Sequence, residues 1–174
     1  MLHATVGFLP VLLFLAALVF MDSFKLLSGR RVTAALAVGG MSALAASLLH
    51  ATLADAFALD QSTVARGVAP FTEEVLKGAF VLWLIRRGRV GFLVDAAILG
   101  FAVGTGFALV ENLEYLRALP ERGLLLWLVR GFGTALLHGG TTAIFATVTK
   151  ALCDRWAGQR RATVDFAPGL LSRA

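Results

Sequence analysis

Long apolar runs separated by short basic or mixed stretches set the pattern of this chain. Several reach about 18 residues or more, the length needed to cross a hydrocarbon core of about 30 Å. They predict five helices. The first runs roughly from Leu2 to Phe24 and the second from Val32 to about Leu53. The third begins between Ser62 and Pro70 and ends at Ile85; the fourth starts near Val90, passes Val110 and reaches about Leu119; the fifth lies within Leu124 to Leu152. The expectation is an all-α, polytopic membrane helical bundle of about five transmembrane helices. Residues 1–153 would form the helical domain. Residues 154–174, polar and carrying Pro168 and Gly169, would form a loosely ordered cytoplasmic tail.

Charge placement gives an orientation. Lys25, Arg30 and Arg31 follow the first helix, Arg86, Arg87 and Arg89 the third, and Lys150, Arg155, Arg160 and Arg161 the fifth. The remaining loops hold Asp55, Asp60 and Arg66, or Arg117, Glu121 and Arg122, with no basic excess. Positive-inside bias then sets the N-terminus outside and the C-terminus in the cytoplasm. The first helix lacks a basic leading region, so it reads as retained rather than cleaved.

Composition agrees. The 174 residues are 58% hydrophobic, with a mean hydropathy of +0.80, beyond what a soluble domain of this size requires. The net charge of +5 does not signal nucleic acid, because the basic residues lie between apolar segments rather than on one surface. Cys153 is the only cysteine, which excludes an intramolecular disulfide and a cysteine zinc cluster. The expected surroundings are a lipid bilayer.

Against that background the adjacent Glu73 and Glu74 stand out. An ionisable residue at membrane depth is costly and marks a functional site by default. Lys77 follows three or four positions later, on the same helical face. With a rise of 1.5 Å per residue, Glu74 lies about 18 Å above Arg86, His138 about 18 Å above Lys150, and Glu111 about 24 Å above Asp95. Three helices thus bring acidic or imidazole groups to a similar level in the outer half. The bland alternative is that a helix starting at Pro70 uses the two glutamates as ordinary first-turn residues. Glu111 shares a face with Glu114 and Tyr115. Glu114 reads as water-facing, and Tyr115 and Arg117 as interfacial anchors. Arg130 either reaches the outer surface or pairs with a glutamate. His50, at the end of the second helix near the outer side, reads as an interfacial histidine rather than the site member it could also be, and Asp95 as a boundary residue. Gly100, Gly104 and Gly106 read as a surface for close helix packing.

Glu73, Glu74, Glu111 and His138 form a candidate hydrolytic set. A carboxylate in a low-dielectric site serves as a general base toward water, and a histidine donates a proton to the leaving amine or stabilises an oxyanion. Carboxylates and imidazole also suit Zn²⁺, with Glu74, Glu111 and His138 as candidate ligands, although there is no HExxH pair. Two further classes use the same groups: a proton-coupled transporter, for which no repeat or matched broken helices are visible, and a non-enzymatic membrane partner whose charges pair with another protein.

Glu73-Glu74-x-x-Lys77, a glycine-rich helix ending in Glu111-Asn112-x-x-Tyr115, and an arginine before a glycine-flanked His138 follow one another between about Pro70 and Lys150. This ordered set resembles the PrsW family of intramembrane proteases, which is distantly similar to the CAAX-protease and bacteriocin-processing group. The resemblance implies an integral protein of a bacterial cytoplasmic membrane that cleaves a membrane-anchored substrate, anti-sigma factors being substrates in the family. It assigns the active site to Glu73, Glu74 and His138, with Glu111 and Asn112 completing the pocket and Lys77 and Arg130 supporting it. Thr142 stands four after His138, where the CAAX-type group carries Asn or Asp, and sets this chain apart from that mechanism.

Overall fold

The computed structural model describes residues 2–21, 27–118 and 123–171. Their regular structure is entirely helical and forms five rods. These are α1 (Leu2–Met21), α2 (Gly29–Phe57), α3 (61–86), α4 (Leu93–Ala118) and α5 (124–171). Two rods contain a π-helical turn: Val64–Val68 in α3 and Ala135–Gly139 in α5. The expected first-helix end at Phe24, Lys25, and Leu119, Glu121 and Arg122 of the fourth connection lie outside the described residues.

The five-helix count matches the apolar pattern, and three boundaries move. Helix α2 extends beyond both expected ends, so His50 lies inside it rather than at its end. Helix α3 starts at Gln61, on an N-terminal turn in which the Ser62 and Thr63 hydroxyls donate to Asp60 and hold that carboxyl below the usual carboxylate range. Glu73 and Glu74 therefore sit well inside a helix, and the first-turn explanation for them fails. Helix α5 runs on to Leu171 with no break at the expected boundary after Cys153.

Helix α4 is the axis of the bundle. Ala96 and every residue from Ile98 to Ala108 are buried, as expected of a helix apolar on all sides. Small residues let its neighbours approach. A Cβ on Gly106 would lie 2.0 Å from the Leu36 carbonyl oxygen of α2, and one on Gly104 would lie 2.0 Å from the His138 carbonyl oxygen of α5. The packing role expected of these glycines is what they perform, and α4 is clamped between α2 and α5 as a result. Helix α1 lies against α4 and α5, with the Phe14 and Phe101 rings 5.0 Å apart.

The outer surface of the bundle is apolar: Leu13, Leu48, Phe71 and Ile144 are 59%, 70%, 73% and 67% exposed. Helices α2 and α4 are long and apolar enough to cross a membrane. The α-helical stretch Ala69–Arg86 falls short on composition because it carries Glu73, Glu74, Lys77 and Arg86.

Candidate active site

The polar residues of α3, α4 and α5 meet where both π turns lie. In α3, Pro70 has no N–H for the Arg66 carbonyl. The helix widens just before it, the Ala69 N–H reaching back to Val64. Thr72 donates its hydroxyl to the Val68 and Ala69 carbonyls. In α5, the hydroxyls of Thr134, Thr141 and Thr142 bond the carbonyls of Arg130, Leu137 and His138 at 2.6, 2.7 and 2.7 Å. Such back-bonding loosens a helical ladder, and single π turns recur at functional sites.

One bonded chain crosses the three helices. Lys77, fully buried, donates to Glu74 Oε1 at 2.5 Å and contacts His138 Nδ1 at 2.9 Å. Its ammonium lies 4.5 Å from the centre of the Phe107 ring. His138 Nε2 is 2.9 Å from Glu111 Oε2, and Arg130 donates to Glu111 Oε1 at 3.1 Å. Arg130 also lies over the Tyr115 ring. An ammonium can only donate, so with Lys77 charged His138 accepts at Nδ1 and its Nε2 carries the proton to Glu111. Of the two arrangements open to Arg130, it takes the glutamate. Of the two carboxylates open to Lys77, it takes Glu74.

Glu73 has a different environment. It makes no hydrogen bond among the described residues, and it lines two clefts that share Ala65, Ala69 and Glu111 with it. One, of about 560 Å³, opens between α2, α3 and α4 and is also lined by Ser47, His50, Gln61, Glu114 and Tyr115. The other, of about 530 Å³, is the chamber against α5, walled by Glu74, Leu137, His138 and Thr141. Three carboxylates thus share Lys77 and Arg130, and the one that bonds neither borders both spaces.

Sequence reasoning passed over the outer cleft. Ser47 donates to Glu114 at 3.0 Å, and His50 Nε2 lies 2.7 Å from the Thr72 hydroxyl, next to Glu73 in sequence. Glu114 therefore has a side-chain partner, and His50 lines the cleft. The spacing of Glu111 and Glu114 on one face was the available signal. Asn112 does not border the chamber. It is buried and bonds Thr134 at 3.1 Å, behind Arg130. Asp95, expected at a boundary, is buried at 6% exposure and accepts the Phe92 N–H at 3.1 Å, which caps the start of α4.

A family profile described as PrsW family intramembrane metalloprotease matches residues 28–172, most of the chain. The chain belongs to the PrsW family. It is accordingly an integral membrane protein and an intramembrane protease, with a membrane protein as substrate, and the transporter and partner-protein readings fall away. The match takes in α2, which the motif between Pro70 and Lys150 did not. Neither the comparison with curated proteins nor that with solved structures gives a match.

The PrsW description names a metal, and the donor set tests it. No group of three or more His, Cys, Asp or Glu side chains is placed to hold a metal ion among the described residues. The expected ligands are already engaged: Glu74 with Lys77, both Glu111 oxygens with Arg130 and His138, and both His138 nitrogens with Lys77 and Glu111. Zinc needs lone pairs aimed at one point about 2.0–2.2 Å away, and here Lys77, Arg130 and the His138–Glu111 contact take up most of them. Glu74, Glu111 and His138 as arranged do not fit a metal site.

Proposed function

We propose that this PrsW protease hydrolyses a peptide bond of a membrane-anchored substrate with water activated by Glu73. The observation that carries the reading is the contrast on α3: Glu74 is tied to Lys77, whereas its neighbour Glu73 is unbonded and borders both clefts. Water entering from the outer cleft meets Glu73 first. Glu73 takes a proton from it as the oxygen adds to the scissile carbonyl. When the C–N bond breaks, Glu73 passes that proton to the leaving amine, beside His138, which Lys77 and Glu111 hold against the same chamber. Glu74 and Lys77 fix the imidazole from below, and Arg130 and Tyr115 hold Glu111 from above. General acid–base assistance of this kind contributes about 10²–10⁴-fold.

The topology belongs to the same proposal. Five spans, with the N-terminus outside and the C-terminus in the cytoplasm of a bacterial inner membrane, put the chamber in the outer half of the bilayer. The basic stretch around Arg86, Arg87 and Arg89 and the polar segment after Cys153 would then face the cytoplasm, in line with the positive-inside rule. The test is cleavage of a co-expressed membrane-anchored substrate by Glu73→Gln protein at wild-type expression. Loss of cleavage is expected, and full activity would end the reading.

A further inference from the structure

Below the chamber, the seam between α3 and α5 continues as a second depression of different character. It has a volume of about 410 Å³ and is lined by Phe71, Val75, Ala79 and Leu82 of α3 and Phe145 of α5, with Glu74 and Thr142 also on its wall. Phe71, Val75 and Phe145 are 73%, 51% and 43% exposed, so it opens sideways from the bundle. From Phe71 to Leu82 it extends about 16 Å along the helix axis, some three helical turns. Its floor includes Gly78, where an added Cβ would lie 3.1 Å from the Phe145 ring. The missing side chain lets that ring lie against α3 and leaves the floor smooth.

Glu74 lines both this groove and the chamber that holds Glu73 and His138. Glu74 therefore stands where the two spaces adjoin, with the apolar residues of the groove above and below it on α3. We propose that the groove docks the transmembrane helix of the substrate and feeds its outer end into the chamber. This rests on the protease reading above and names how that site takes its substrate. Two features favour a helix over a lipid chain. The exposed small residue Ala79, midway along the groove, permits the close backbone approach that helix pairs use in lipid. On the groove wall, the Glu74 carboxylate is half exposed and has a second oxygen that Lys77 does not take. A peptide unwinding there releases backbone N–H groups that must find acceptors at membrane depth. An acyl chain has none to offer.

The test uses the full chain in liposomes with a synthetic single-span peptide of leucine and alanine carrying a polar outer flank. A photoreactive benzophenone residue replaces Leu82 in the groove or, as control, the lipid-facing Leu13 of α1, both in a Glu73→Gln background so that the peptide stays intact. The peptide should label the groove position at least fivefold more than the control, and Ala79→Trp, which fills the groove, should remove the excess. Equal labelling at the two positions, or lipid adducts alone at Leu82, would overturn the proposal. The two readings separate cleanly. Glu73→Gln protein that still cleaves would refute the hydrolytic assignment and leave the labelling pattern standing. Equal labelling with cleavage lost in Glu73→Gln would do the reverse.

Discussion

The two halves of α4 follow opposite rules. From Ile98 to Ala108 it is buried on all sides and touches α2 and α5 through glycine. From Glu111 to Tyr115 it carries carboxylates and an aromatic ring, and two clefts open beside it. In the first half, helices approach closely and nothing polar needs a partner except Thr105, whose buried hydroxyl has no hydrogen bond among the described residues. In the second, both facing rods relax into π turns just where charge enters. The difference shows how a small bundle accommodates ionised groups at depth. The regular half supplies rigidity. The irregular half holds Glu111 against Arg130 and His138 and Glu114 against Ser47, and faces Glu73 of α3, which has no hydrogen bond among the described residues.

The largest effect should come from joining the halves badly. Gly104→Leu drives a side chain into the His138 carbonyl, and because backbone rather than a flexible side chain is struck, the cost should exceed the about 1–3 kcal/mol of ordinary overpacking. No monodisperse folded protein is expected in detergent by size exclusion. Next comes the unbonded carboxylate: Glu73→Gln should lower cleavage by about 10²–10⁴-fold while the melting temperature stays close to wild type. Lys77→Met removes the cation shared by Glu74 and His138 and should affect both properties. Activity should fall and stability drop by about 1–3 kcal/mol, less than the about 3–5 of a fully buried pair because Glu74 is half exposed. Arg130→Lys keeps the charge but loses the guanidinium stacked on Tyr115, a change of about 1 kcal/mol that kinetics should register as a several-fold loss. The smallest effect lies outside both halves. Ala58 closes α2 in the left-handed region at φ 49°, so Ala58→Gly should raise stability by about 1 kcal/mol with activity unchanged.

The regular half was the legible one. A sequence records apolar length and small-residue spacing directly, which is why the helix count and the packing role of Gly104 and Gly106 could be read from it. The order of Glu73, Glu74, Lys77, Glu111 and His138 along the chain also carried the family and the level at which these groups meet. What stayed hidden was the pairing. A π turn adds a residue to one turn and rotates everything beyond it, so periodicity could not show which side chain of α3 faces α5. Lys77 stands four residues after Glu73 and three after Glu74, both within reach on one helical face, and the structure decides for Glu74. Ser47 and Thr72 were missed for the same reason: each looks like an ordinary polar residue until α2 and α3 are laid side by side. Pairing was also what the spacing of the expected metal ligands could not show. Their depths agreed, but the lone pairs had other partners.

The most direct measurement is cleavage of a membrane-anchored substrate by purified protein in liposomes, comparing wild type with Glu73→Gln, each with and without a strong zinc chelator. Wild-type cleavage that withstands chelation and disappears in Glu73→Gln is the expected result. Cleavage that survives in Glu73→Gln, or that chelation abolishes and Zn²⁺ restores, would contradict an unaided carboxylate as the water-activating group.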